Sequence, residues 1–221
     1  MSPWIGYTRF GTGFVAFSGA AGDNEFHTHD AVQIVLSDIV SIELDGSIIK
    51  AKHGAYVRPR VRHRLRPSTD VQVYLIEPHS MAGRYLLEHL RHDGAGPLDN
   101  GEALLADAIG SKRSPKIDIR LKQVLDTLSG PDALQTSIAH VARCAGLSSP
   151  RLRELAAKQL GMTMGRWRLW NALGRASSLL AEGRSIADAA HEAGFSDQSH
   201  FTRTMRATLG VTPRSAKSAL R

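Results

Sequence analysis

The sequence predicts an α+β protein: a short β-barrel module at the N-terminus, then an all-α C-terminal domain with two helix-turn-helix units joined by a helix. Three observations carry this expectation. The first 78 residues alternate short runs rich in Val, Ile, Tyr and Phe with clusters of turn residues. After Pro78 the apolar residues fall at helical spacing. A seven-residue segment in the last third of the chain recurs 48 residues later.

The β runs are Phe14–Phe17, Val32–Ser37, Val40–Leu44, Ser47–Ala51, Ala55–Arg58 and Val71–Ile76. Between them stand Gly22-Asp23-Asn24, Asp45-Gly46, Lys52-His53-Gly54 and Pro67-Ser68-Thr69-Asp70. Asp-Gly between two apolar runs signals a hairpin, and short strands at this spacing suggest a small antiparallel barrel or sandwich. This defines a first domain, residues 1–78.

Met81, Tyr85, Leu86 and Leu90 make one stripe of a helix over about 80–92. A loop from His92 to Asn100 and a short helix near 102–109 follow, and Ser111 to Lys116, with Pro115, reads as a linker. Residues 79–116 are therefore a helical connector, and its apolar stripe is the expected homodimer contact. From Ile117 the chain reads as helices only, with Ile117, Leu121, Val124, Leu125 and Leu128 on one stripe.

The net charge of +7 is unevenly placed. Residues 1–129 hold 15 Lys and Arg against 15 Asp and Glu, whereas residues 130–221 hold 13 against 6. The whole excess lies in the C-terminal part, as expected for a partner with a phosphate backbone. No run of eighteen apolar residues occurs, so no membrane span is expected. Met1 to Phe10 lacks the pattern of a signal peptide, and the single cysteine, Cys144, allows no internal disulfide. A cytoplasmic protein is expected.

The repeated unit is Ala142-Arg143-Cys144-Ala145-Gly146-Leu147-Ser148 and Ala190-His191-Glu192-Ala193-Gly194-Phe195-Ser196. The small Ala lets two helices approach, the Gly four residues later permits a left-handed turn, and Ser148 and Ser196 are placed to cap a second helix. Leu152 and Leu155, or Phe201 and Met205, pack that second helix back on the first. These are two helix-turn-helix units, at about 137–160 and 185–208, joined by a helix over 164–181. A helix of 18 residues is about 27 Å long, close to the roughly 34 Å between successive major-groove faces. In the first unit Ser149, Arg151 and Arg153 lie near the start of the second helix and off its apolar stripe. In the second, Asp197, Gln198, Ser199 and Thr202 are similarly placed, with Arg203 and Arg206 deeper along the helix. Arg with guanine and Gln with adenine are the natural base pairings, and the deeper arginines suit phosphate or the fold.

The segment Gly194-Phe195-Ser196-Asp197-Gln198-Ser199-His200-Phe201-Thr202-Arg203, with Gly210-Val211-Thr212-Pro213, resembles the signature of AraC-type (arabinose-regulator-like) transcription regulators. The resemblance covers about 117–220 and implies DNA binding through two helix-turn-helix subdomains, usually with transcription activation. The first unit departs from the family at Glu154 and Ala156, and the linking helix at Ala172. The second unit is therefore expected to supply most of the discrimination.

In the N-terminal module, His27-Thr28-His29, Gln33, Gly54, Pro59 and His63 resemble the cupin pattern, with Gln33 where metal cupins carry Glu. Strand alternation is expected to put His27, His29 and Gln33 on one face pointing into the barrel. Three readings of His27, His29, Gln33 and His63 stand side by side: a small-molecule effector site, a structural core and a metal site. The effector site is adopted, with no cofactor assigned. Arg58, Arg60, Arg62, Arg64 and Arg66 alternate, so an extended strand would array all five on one face, either solvated or facing an anionic partner.

The function expected is sequence-specific binding of double-stranded DNA under effector control, as an activator, with RNA polymerase as a further candidate partner. The alternatives are a metal-dependent cupin enzyme and an architectural DNA binder; no catalytic residues are assigned.

Overall fold

The computed structural model describes residues 4–110 and 117–219, so the expected linker Ser111–Lys116 lies outside the described residues. The chain opens with a β-rich region. Strands β1 (Ile5–Gly11), β2 (Phe14–Ala21), β3 (Val32–Leu36), β4 (Ile39–Leu44), β5 (Ser47–Lys52), β6 (Ala55–Val57), β7 (His63–Leu65) and β8 (Ser68–Ile76) lead to α1 (Met81–His89), β9 (Ala95–Pro97) and α2 (Gly101–Ile109). One sheet has six strands in the order β1-β2-β8-β3-β6-β9, and a second has three in the order β5-β4-β7. Every pairing is antiparallel.

The two sheets share an interior formed by Val35, Val57, Val71 and Val73 from one and Val40, Ile42, Ala51 and Leu65 from the other. The six-stranded sheet is covered on its other face. Val32, Ile34 and Leu36 of β3 pack there with Leu86, Leu90, Leu98 and Leu105 from α1, α2 and the segment between them. A strand buried on both faces reads as a continuous apolar run, which is why all five residues of β3 are buried.

Three expectations need correction here. The stripe on α1 is not an open contact surface: Leu86 is 0% exposed and Leu90 5%, both spent on the chain's own sheet. The loop after α1 contains β9, which adds to the edge of β6 through main-chain pairing that apolar patterning does not report. The turn expected at Pro67–Asp70 is mostly strand, since β8 begins at Ser68 and Ser68 pairs with Ala21. Strand β1, interleaved with Gly6 and Arg9, was not expected from the sequence.

The helical half contains α3 (Ile119–Thr127), a 3-10 turn (Pro131–Leu134), α4 (Ile138–Cys144), α5 (Ser149–Gln159), α6 (Met164–Ala181), α7 (Ile186–Glu192), α8 (Gln198–Leu209) and α9 (Pro213–Ala219). Leu121, Val124, Leu125 and Leu128 are buried around α3, whereas Ile117 precedes the helix and is 42% exposed. Helix α6 contributes to two cores. Met164 and Trp167 close the core of α3, α4 and α5, while Trp170, Leu173, Ala176 and Leu180 join the core of α7 and α8, which is continuous with the interior of the β sheets.

The fastening between the halves is Glu77, at the end of β8. Its side chain is 0% exposed, and Oε2 accepts hydrogen bonds from Trp170 Nε1 at 2.6 Å and Arg166 Nε at 3.0 Å, with Arg166 Nη2 as a third donor. Its other carboxylate oxygen accepts from the His79 amide at 3.2 Å. Removing one partner of a buried charged pair leaves the remainder unpaired. Glu77→Ala is therefore expected to lower the unfolding free energy by about 3–5 kcal/mol, and Trp170→Phe by about 1.5–3 kcal/mol, both read from urea midpoints. A loss below about 1 kcal/mol for Glu77→Ala, the range of a surface pair, would show that the halves are held by something else.

Candidate nucleic-acid interface and a three-histidine seam

Each helix-turn-helix unit is built by the small-residue spacing of the repeat. Ala142 and Ala190 are fully buried where the paired helices meet. Gly146 and Gly194 take φ of 67° and 87°, the left-handed turn that the spacing called for. In the first unit the Ser148 side chain caps α5 by accepting from the Arg151 amide at 3.3 Å. In the second unit the cap is Asp197 rather than Ser196: its carboxylate accepts from the His200 amide at 2.7 Å, and the Ser196 hydroxyl donates to the same carboxylate. The helix starts one residue later than in the first unit, so the cap position falls on Asp197.

The exposed face of α5 presents Ser149, Arg151 and Arg153. Arg151 pairs with Glu154 at 2.7 Å, with 47% and 61% of the side chains exposed. Such a surface pair is worth little and is readily exchanged for another anion. On α8, Gln198, Ser199 and Arg203 are exposed without occupying the core, and Thr202 donates its hydroxyl to the Gln198 carbonyl at 2.8 Å. Arg206 is exposed too, but at the far end of α8, beside His27.

The four residues adopted as an effector site come together, though not as one strand face. Only Gln33 lies in β3; His27 and His29 are in the irregular segment before it, and His27 is bridged to His63 of β7 by a pair of main-chain hydrogen bonds. The three rings lie with centroids 4.6 to 5.6 Å apart. Gln33 Oε1 is 2.9 Å from His29 Nε2 and 3.2 Å from His63 Nε2. Each Nδ1 faces a backbone carbonyl: Glu25 for His27 at 2.8 Å, Ala31 for His29 at 3.1 Å and Val61 for His63 at 2.9 Å. Burial lowers the basicity of all three rings, and burial together with the neighbouring His29 pushes His63 down to about 3.

This cluster abuts the end of α8. Gly210 caps that helix with φ 74°, and a Cβ there would lie 2.6 Å from His27 Cδ2 and 2.8 Å from His29 Cδ2. The Asp30 amide donates to the Ala207 carbonyl at 3.1 Å. Nothing in the histidine spacing signals this seam. In the sequence Gly210 stands out only within the Gly210-Val211-Thr212-Pro213 segment, not as a contact.

The five alternating arginines do not share a strand face, because Arg60 has φ 64° and breaks the segment between β6 and β7. Arg58 reaches the Leu87, Leu90 and His92 carbonyls at 3.0 Å, closing the C-terminal end of α1. Arg60 pairs with Asp30, and Arg62 with Asp45. Arg64 and Arg66 both engage Glu43. Each of the five thus has an acceptor, with Arg64 and Arg66 sharing the Glu43 carboxylate.

Residues 141–219 match a family model described as a helix-turn-helix domain. The arabinose operon regulatory protein of Escherichia coli (strain K12) is 33% identical over 111 residues, 48% of this chain and 37% of that protein. The C-terminal part of this chain is an AraC-type helix-turn-helix domain. The virulence regulon transcriptional activator VirF of Yersinia enterocolitica is similar to it at 36% identity over 81 residues, 36% of this chain and 30% of that protein. The match thus spans about a third of the length of these relatives. ToxT of Vibrio cholerae O395 is 11% identical over 95% of this chain and 100% of its own, with a TM-score of 0.51, a likeness of fold that extends beyond the AraC-type domain to the sheet-rich region.

The cap at Asp197 makes a prediction for the AraC-type domain. The His200 amide is the main reason that its carboxylate titrates below the ordinary range, so its stabilisation is present above about pH 4 and is lost as pH falls through the depressed folded value. Asp197→Ala is expected to fray the start of α8 and weaken binding to all DNA sequences alike, while Asp197→Ser preserves both stability and affinity. A change confined to one base pair of the bound sequence, in either variant, would mean that Asp197 reads a base instead.

Proposed function

We propose that this chain is a sequence-specific DNA-binding transcription regulator, an activator acting in the cytoplasm, whose N-terminal module responds to a small effector. The observation that carries the reading is the pair of helix-turn-helix units at the two ends of α6, each presenting a polar helix start to solvent. Residues 1–78 act as the sensor, 79–116 as a connector and 117–221 as the DNA-binding domain. Ser149, Arg151 and Arg153 in the first unit, and Gln198, Ser199 and Thr202 in the second, face the major groove. Arg203 meets phosphate, Arg206 lies nearer the seam, and Asp197 orients the helix start. His27, His29, Gln33 and His63 receive the effector. A homodimer and RNA polymerase remain the expected protein partners, with the dimer contact elsewhere than on the α1 stripe.

Selection of bound sequences from random DNA tests this. The expected result is one sharply preferred block of a few base pairs and a weaker block about one helical turn away. Gln198→Ala should cost about 1–3 kcal/mol at a single base pair. Arg203→Ala should weaken binding to every sequence and flatten the salt slope by about 0.9 per lost contact. No enrichment of any sequence would instead favour an architectural DNA binder.

A further inference from the structure

We infer that residues 129–136, the segment joining α3 to α4, are a strut that fixes the spacing and angle of the two helix-turn-helix units, with Gln135 and Arg175 as its positioning residues. The inference deepens the DNA-binding reading and rests on it.

The repeat itself exposes the strut. Gly146 and Gly194 hold the same place in the two units and both take the left-handed turn, yet their surroundings differ. A Cβ at Gly146 would meet nothing within 4 Å among the described residues. A Cβ at Gly194 would stand 2.3 Å from the Pro131 carbonyl oxygen and 3.4 Å from Gln135 Oε1. The turn alone accounts for Gly146. Gly194 also admits a piece of chain that belongs to the first unit.

That piece is tied down along its length. Gln135 Nε2 donates to the Gly194 carbonyl at 2.6 Å. The guanidinium of Arg175, on α6, donates through Nη1 to the Ser129 carbonyl and through Nη2 to the Ala193 carbonyl at 3.0 Å. It thereby bridges the first unit's segment to the turn of the second. Arg168, two turns earlier on α6, donates through Nη1 to the Ala133 and Thr136 carbonyls at 3.2 and 3.0 Å. Ala133 is buried, and Leu134 packs against the core that holds Ala193 and Phe195. The segment is anchored in the first unit on both sides, since Leu128 is buried in the core of α3, α4 and α5 and Ser137 caps α4.

Two connections do what one cannot. Helix α6 joins the units, but its apolar contacts are non-directional. The joint from α6 to α7 contains Gly183, at φ 92°, where a Cβ would meet nothing within 4 Å among the described residues. A second connection, away from the α6 axis, removes rotation about that axis. Its hydrogen bonds are directional, because an amide and a guanidinium fork each fix the line on which the oxygen is met. Turning the second unit about α6 would break the Gln135 bond and draw Ala193 off Arg175. On DNA, one extra base pair between two sites moves the second by about 3.4 Å and turns it by about 34°. A braced pair of units does not follow that movement, so the duplex has to deform.

The test compares the full chain with Gln135→Ala and Arg175→Met on three duplexes: the selected two-block operator, that operator with one base pair inserted between the blocks, and the second block alone. The unaltered chain should lose roughly tenfold in affinity on the inserted duplex. Each variant should bind the single block within about twofold of the unaltered chain, and should lose no more than about threefold on insertion. An insertion penalty that both variants keep, or that the unaltered chain lacks, overturns the strut. A loss on the single block as large as on the two-block operator would mean that Gln135 and Arg175 only hold the second unit together, which overturns their positioning role. A second measurement needs no DNA. Spin labels on Cys144, exposed on α4, and on His191→Cys, exposed on α7, should give a narrow distance distribution that broadens with Gln135→Ala. Gln135 is exposed, so this variant keeps the test decisive if Arg175→Met fails to fold. An unchanged distribution overturns the strut whatever the DNA result. A failed operator selection with a distribution that still broadens would sink the regulatory reading and leave the strut standing.

Discussion

Glu77 places a full negative charge at a position with no access to water, and the rest of the molecule is arranged around making that tolerable. A buried carboxylate is costly unless it is paired and its lone pairs are used. Here the donors are Trp170 and Arg166, one turn apart on the first half of α6. The same residue holds the sheet-to-helix corner, since its carbonyl accepts from the Ser80 amide and hydroxyl and its own amide donates to the Gly13 carbonyl. Helix α6 can therefore occupy only the orientation that presents both donors, and both helix-turn-helix units inherit their placement from it.

The two halves of the chain meet along a continuous core and not across a flexible joint. Trp170, Leu173 and Leu180 of α6 belong to the same apolar cluster as Val35 and Val73 of the six-stranded sheet. At the other end of the AraC-type domain, the cap of α8 rests on the histidine cluster. The first contact is a charged anchor on the first half of the linking helix. The second is a steric seat at the end of a reading helix. Between them the N-terminal module has a rigid route to the placement of α6 and α8.

Much of the helical half was legible in the sequence because its signals are local. The Ala and Gly of each repeat, four residues apart, and the apolar pairs Leu152 and Leu155, or Phe201 and Met205, state the element and its buried face together. Glu77 and Gly210 were not legible for the opposite reason: their meaning lies in partners 93 residues and more than a hundred residues away. The arginines between Arg58 and Arg66 misled because alternation implies a face only where the backbone stays extended, and Arg60 does not. The α1 stripe was recognised as apolar, but spacing alone cannot say whether the covering surface is a second chain or the molecule's own sheet. The cupin-like histidine pattern named four residues that lie together in the fold while leaving their neighbour, the end of α8, out of sight.

The AraC-type domain is smooth where it touches the sheet module. At Gly161 a Cβ would stand 2.6 Å from the Met81 amide nitrogen, at Gly174 it would press on Phe10, and at Gly210 it would strike His27. Three hollows without side chains thus receive three projections. Transplanted behind a different N-terminal module, this helical domain would carry the hollows to a surface not contoured to fill them. On this chain, exchange of the N-terminal module is limited by the relief of three glycines.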